Sequence, residues 1–313
     1  MQALGPIIAL MLIMSLGWFI KQKGYLDEHT EGKINWLLFR ILMPCSIFSA
    51  GIRFRADLIG GWNFMLAIYS SFIFVMILSL VLSRLRGLTP ERTATSVMMS
   101  IRGNVLYVAL PLLVLYIGEQ GKEMIALYVA VGMLFYNFFP ILAAQICLAG
   151  RLSWKKLLSS LVASLKNPVL LAGFAGILCA IAGLVRFIPQ PVLQAINMLS
   201  QSATGLALLV IGASLELSRL RTDLKVCWID VMLKVVVLPA CLCLAFHIWP
   251  LASREGMIAA VIISSVSHAF NCYIFAYGMG MDYRYASSTL ACATVLGLGT
   301  TAVWLGIAPV LVP

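Results

Sequence analysis

Apolar stretches of roughly 18 or more residues recur along the whole chain, and each is long enough to cross a hydrocarbon layer ~30 Å thick as a helix. A bilayer interior offers no water to peptide groups, so such stretches must satisfy their own backbone as helices. A β-barrel would need shorter segments of alternating polarity. Composition agrees. Apolar residues make up 62% of the chain and charged residues 11%, against about 45–50% and 25% in soluble domains. The pattern predicts ten spans: Ala3–Ile20, Ile34–Ile52, Trp62–Leu82, Thr93–Ile117, Met124–Ala149, Pro168–Val185, Val192–Leu217, Val226–Trp249, Gly256–Gly280 and Ala286–Leu311. The expected fold class is an all-α integral membrane protein of ten transmembrane helices.

The net charge of +10 does not mark a nucleic-acid binder, because the cations sit in short clusters between spans and such clusters set topology. Fourteen Lys and Arg residues fall in the odd loops and five in the even loops. Lys and Arg accumulate on the cytoplasmic side. The odd loops are therefore expected inside and both termini outside, in a multi-pass protein of the cell inner (plasma) membrane. The first span lacks a basic lead and a small-residue cleavage site, and reads as a membrane helix rather than a signal peptide. Eight cysteines lie in or beside spans without a C-x-x-C pair. They read as small buried hydrophobes, with no metal or cofactor implied.

Landmarks recur at a steady offset. Pro6 is matched by Pro168, Ile34-Asn35 by Ile196-Asn197, Asp57-Leu58 with Trp62 by Asp223-Leu224 with Trp228, and Glu91 by Glu255. This divides the chain into residues 1–149, a cytoplasmic linker 150–167, and residues 168–313. Five spans per half force opposite orientations. The halves then form an inverted repeat, an architecture that places a solute site near the bilayer midplane where helices are broken.

Polar residues inside spans are candidates to line such a site. Span 4 carries Ser100-Ile-Arg102-Gly103-Asn104 and then Pro111. Gly permits unusual backbone angles, and Pro removes a donor and disrupts the preceding turn. Arg102 near mid-bilayer costs at least ~2.5 kcal/mol on insertion scales, so it is expected to be paired or used. Span 9 carries Ser264-Ser265-Val-Ser267-His268 and Asn271, a set suited to a wet cavity, although hydroxyls also bond back to their own helix. Asp230 and Lys234 are spaced to pair on one helical face. Arg40 is expected to snorkel to the interface. Mid-span cations (Arg40, Arg102, Lys234) outnumber mid-span acids (Asp230), which favours an anionic solute held partly by backbone N–H groups.

These residues resemble the auxin efflux carrier family, over essentially the whole chain. The likeness rests on Pro6 through Gly17 in span 1, Asn35 with Pro44, Lys166-Asn167-Pro168, Asn104 with Pro111, Lys234 with Pro239, Asn271 with Ile274-Phe275-Ala276, and Ala286 through Leu290. The chain departs from the family pattern at Leu106 and Ala109, where glycines are common, and at Ser267, where a proline is common. The resemblance implies two inverted five-helix repeats with broken crossover helices 4 and 9. It also implies a scaffold of spans 1, 2, 6 and 7 beside a moving bundle, a homodimer in membrane lipid, and substrates that are often organic anions.

The reading of residues and resemblance together is a secondary transporter for a small organic anion, such as a mono- or dicarboxylate, by elevator-type alternating access. Its expected binding residues are Asn104, Asn271, Arg102, Gly103, Pro111, His268, Ser267 and Lys234. The alternative is a channel or a uniporter for a neutral or aromatic solute. An enzyme is disfavoured, because the sequence has no H-E-x-x-H and too few intramembrane acids for an aspartyl dyad.

Overall fold

A computed structural model of the chain describes residues 4–53, 62–118, 120–126, 128–129, 146–148, 168–213, 220–251, 253–269, 272, 276 and 279–313. It is 86% helix, with no β-strand among the described residues. Among the described residues, five helical stretches are long and apolar enough to cross a membrane: His29–Gly51, Trp62–Leu85, Gln190–Ala213, Asp223–Ile248 and Tyr283–Leu311. Shorter apolar stretches cover Ile8–Gln22, Val105–Ile117 and Leu171–Ile181. The predicted spans 4 and 9 fall short because both are interrupted, and most of span 5 lies outside the described residues. Large apolar side chains such as Leu12, Trp62, Ile77 and Val310 lie exposed on the helix surfaces, as lipid-facing residues do and soluble surfaces avoid.

The chain packs into two compact units, each drawn from both halves of the sequence. The first comprises residues 1–56, 105–130 and 165–215. It contains α1 (Leu4–Gln22), α2 (Glu28–Leu37), α3 (Met43–Gly51), α6 (Leu110–Ile117), α7 (Pro168–Ile181) and α8 (Gln190–Ala213). The second comprises residues 57–104, 131–164 and 216–313. It contains α4 (Trp62–Leu85), α5 (Pro90–Met99), α9 (Leu220–Met232), α10 (Leu238–Ile248), α11 (Arg254–Ser265) and α12 (Tyr283–Leu311).

Close backbone approach holds the first unit. Lipid tails are as apolar as leucine, so helices in a membrane associate through small residues that let backbones touch. Gly17 of α1 lies against the backbone of Leu209, and Gly212 of α8 against the backbone of Met14. A Cβ at Gly51 of α3 would stand 3.0 Å from the Cα of Gly176 in α7. Ser49 Oγ donates to Asn197 Oδ1 at 2.6 Å, tying α3 to α8.

Helix starts follow side-chain capping. Asp27 accepts from the Thr30 amide at 2.8 Å, Ser253 from Gly256 at 3.1 Å, and Asp282 from Tyr285 at 2.9 Å. Each satisfies a donor that the first turn leaves open. Span 6 ends earlier than predicted, at Ile181, because Gly183 adopts a left-handed φ of 66°.

Among the described residues, three wide π-turns lead into α-helices, each followed by a proline: Leu38–Leu42 with Pro44, Val105–Ala109 with Pro111, and Leu233–Val237 with Pro239. The cause is local. Proline has no N–H for the carbonyl four residues back, and its ring crowds that carbonyl, so the turn opens. For Pro239 that carbonyl belongs to Val235, and the Trp304 indole donates to it at 2.9 Å.

Substituting Gly17 or Gly212 by Val should cost about 1–3 kcal/mol through overpacking, seen as a lower melting temperature of the purified protein. Gly205→Ala on the same helix α8, where a Cβ meets nothing within 4 Å, should leave the melting temperature unchanged or raise it.

Candidate functional site

The candidate site lies in the second unit, where two helices stop and their backbones pair. α5 ends at Met99 and α11 at Ser265. Beyond them, Gly103 and His268 face each other in an antiparallel bridge. Two hydrogen bonds flank the bridge: Asn104 N donates to Ser267 O at 2.8 Å, and Ala269 N donates to Arg102 O at 2.9 Å. In this register the facing residues are the non-bonded pair, whose Cα atoms approach most closely, to about 4.5 Å. The N–H and C=O groups of Gly103 and His268 therefore point away from the ladder, and among the described residues they have no backbone partner.

Lys234 enters this region from the wide turn between α9 and α10. It is fully buried, and its Nζ donates to the Ser264 carbonyl. That carbonyl is one of the acceptors left open at the end of α11, where a cation is also favoured by the helix dipole. A Cβ on Gly103 would stand 3.2 Å from Lys234 Nζ and 3.4 Å from Cε. A side chain at this position would press on the Lys234 amine, which would have to shift to make room.

Lys234 does not pair with Asp230, contrary to the sequence expectation. The π-turn Leu233–Val237 widens the helix, so residues four apart no longer share a face. Asp230, 1% exposed, instead binds Arg86 Nη1 at 3.1 Å and accepts hydrogen bonds from Ser96 and Tyr285. Arg86 Nη2 donates to the Val226 carbonyl at 2.8 Å, and the Ser79 and Ser83 hydroxyls meet Ser96 at 2.9 and 3.0 Å. This clasp joins α4, α5, α9 and α12. In the sequence Arg86 is one of the loop cations, and nothing in the spacing of 86, 96, 230 and 285 marks them as neighbours.

Other predicted residues divide as follows. Ser267 and His268 are buried, at 3% and 0% exposure, and among the described residues the Ser267 hydroxyl and both His268 ring nitrogens have no hydrogen-bond partner. The Met99 backbone lies beside the ring, outside hydrogen-bond geometry. Asn104 is buried, and Arg102 is buried with its guanidinium beside the Cys272 thiol. Ser264 and Ser265 bond back to Val261 and Ile262 in their own helix, at 2.7 and 2.8 Å, and so are satisfied structurally. Pro111 belongs to the first unit, at the start of α6. Asn271 lies outside the described residues. Arg40 is exposed on its wide turn.

At the start of α12, Arg92 Nε bonds Asp282 Oδ2 at 2.9 Å. Burial opposes charge on Asp282, but the Arg92 contact and the Tyr285 amide prevail and hold its carboxyl below the usual carboxylate range. No group of three or more His, Cys, Asp or Glu side chains suited to a metal ion occurs among the described residues.

The broken, paired backbone lies among helices apolar enough to cross a membrane. A family model described as membrane transport protein matches residues 2–148 and 150–305, and the chain belongs to that family. The match bears out the resemblance to the auxin efflux carrier family. An uncharacterized transporter of Methanocaldococcus jannaschii is 23% identical over 306 residues, covering 95% of this chain and 96% of the relative. A Rhizobium meliloti protein named "Putative malonate transporter" is 25% identical over 291 residues, covering 88% of this chain and 89% of the relative. The chain is an integral membrane transporter and not an enzyme.

Asp230→Ala leaves Arg86 without its counter-charge and should destabilise the protein by about 3–5 kcal/mol, measured as a loss of thermal stability in detergent. Trp304→Phe removes the donor to the Val235 carbonyl and should cost about 1–3 kcal/mol in the same assay.

Proposed function

We propose that this chain is a secondary active transporter for a small organic anion, of mono- or dicarboxylate class, working by elevator-type alternating access. The observation that carries the reading is Lys234. It is a fully buried amine beside interrupted backbone, with no carboxylate paired to it among the described residues. A buried cation in that position needs a partner, and an anionic solute supplies one. The name of the Rhizobium meliloti relative supports the same chemical class.

In this reading Arg102 adds fixed positive charge. Asn104 and Asn271 donate amide hydrogens to the solute carboxylate, helped by the free backbone groups of Gly103 and His268. Ser267 and His268 present the remaining polar contacts. Pro111 keeps the turn after Asn104 open. The ten spans form two inverted repeats, residues 1–149 and 168–313, joined by a cytoplasmic linker at 150–167. The protein resides in the inner membrane as a homodimer with both termini outside.

Asn104→Ala should abolish uptake of radiolabelled malonate into proteoliposomes while leaving membrane insertion and melting temperature intact. Unchanged uptake would defeat the assignment.

A further inference from the structure

One buried side chain in the candidate site has polar atoms that the fold does not use. His268 is 0% exposed, and among the described residues neither ring nitrogen has a hydrogen-bond partner. Buried polar side chains are nearly always satisfied, so each exception calls for an explanation. An imidazole carries at least one N–H in either of its protonation states. His268 therefore has a donor to offer whatever its charge.

The backbone bridge fixes where that donor stands. Gly103 and His268 are directly opposed in an antiparallel pair. Opposed residues carry their side chains on the same face, with Cβ positions about 5 Å apart. A Cβ built on Gly103 would stand 3.2 Å from Lys234 Nζ. The amine thus lies on the face to which His268 turns its ring, and the two groups are within electrostatic reach of each other. Gly103 places no side chain between them. The Ser264 carbonyl takes one Lys234 N–H, and an ammonium group has three. All of these residues belong to the second unit.

This pairing sets the chemistry of a fitting solute. A carboxylate suits Lys234, since it only accepts hydrogen bonds. An acid with one carboxylate and a hydrocarbon tail would lay that tail against the imidazole. The ring N–H would then stay buried without an acceptor, which is costly. An acid with a second oxygen-bearing group beside the carboxylate satisfies both residues at once.

Resting on the anion reading above, we propose that His268 is a specificity-determining residue. It donates a hydrogen bond to a second oxygen-bearing group of the solute, a carboxylate or a hydroxyl, while Lys234 holds the first carboxylate. The site thereby selects short bifunctional acids over simple monocarboxylates.

The test is isothermal titration of the purified full-length protein at neutral pH with malonate, glycolate and propionate. These acids attach a carboxylate, a hydroxyl and a methyl group, respectively, to the carbon beside the shared carboxylate. Wild type should bind malonate, glycolate or both at least about tenfold more tightly than propionate, the worth of one well-made hydrogen bond. Which of the two is preferred identifies the second group. His268→Phe, a ring without nitrogens, should abolish the preference and leave propionate affinity unchanged. His268→Gln, which keeps an N–H, should retain most of it. Where His268→Phe fails to fold, His268→Leu serves, and the wild-type ratio needs no variant. Equal binding of the three acids by wild type would overturn the proposal and leave the anion carrier standing. An unchanged preference in His268→Phe would overturn it too. A loss of all three acids alike in that variant, propionate included, marks a structural role for the ring and overturns it as well. Absence of binding by all three acids to wild type would remove the anion reading and this proposal together.

Discussion

Peptide groups in a hydrocarbon layer need partners, and the second unit supplies several of them by pairing backbone with backbone where α5 and α11 end. The backbones released at Met99 and Ser265 complete each other through the Asn104–Ser267 and Ala269–Arg102 bonds. Two bonds are the least that can hold such a junction, and they leave the polar groups of Gly103 and His268 turned outward. A longer ladder would have used those groups internally. A shorter one would have left too many donors stranded in an apolar surrounding. A side chain at 103 would crowd Lys234, whose Nζ would lie 3.2 Å from the added Cβ.

Prolines decide where that lysine points. Pro239 opens the turn that carries Lys234, and the opening rotates the side chain off the Asp230 face. The opened carbonyl of Val235 is then met by Trp304 from α12. Asp230, released from the lysine, gathers Arg86, Ser96 and Tyr285 instead. One imino acid thus separates two groups that the helical spacing would have joined. It sends one to a structural clasp and the other to the junction.

Much of this was legible in the residues. Span 3 was predicted as Trp62–Leu82 and is helical over Trp62–Leu85, because a continuous apolar run has one solution in lipid. The interruptions at 100–104 and 266–269 follow the clusters of Gly, Asn, Ser and His, where side-chain chemistry and backbone freedom both disfavour helix. The placement of Lys234 was not legible, because it depends on a turn width that residue identity shows only through Pro239. Its acceptor, a main-chain carbonyl, has no signature at all. The Arg86–Asp230 pair joins residues 144 apart, and a single chain carries no record of such a pairing. The serines at 264 and 265 show the opposite error. They have the right chemistry for a cavity, but their hydroxyls are already committed to the turn beneath them.

If Lys234 binds the solute as proposed, its contact with the Ser264 carbonyl makes that oxygen a stand-in ligand, present before any cargo arrives. Under the proposed function, an incoming carboxylate would have to share the amine with it or displace it, so the net gain on docking would be the difference between two acceptors rather than the whole of one ion pair. A difference of that size favours quick release over tight retention. A carrier that must let go of its cargo on the far side of the membrane, many times over, is well served by a site whose empty form is already half satisfied.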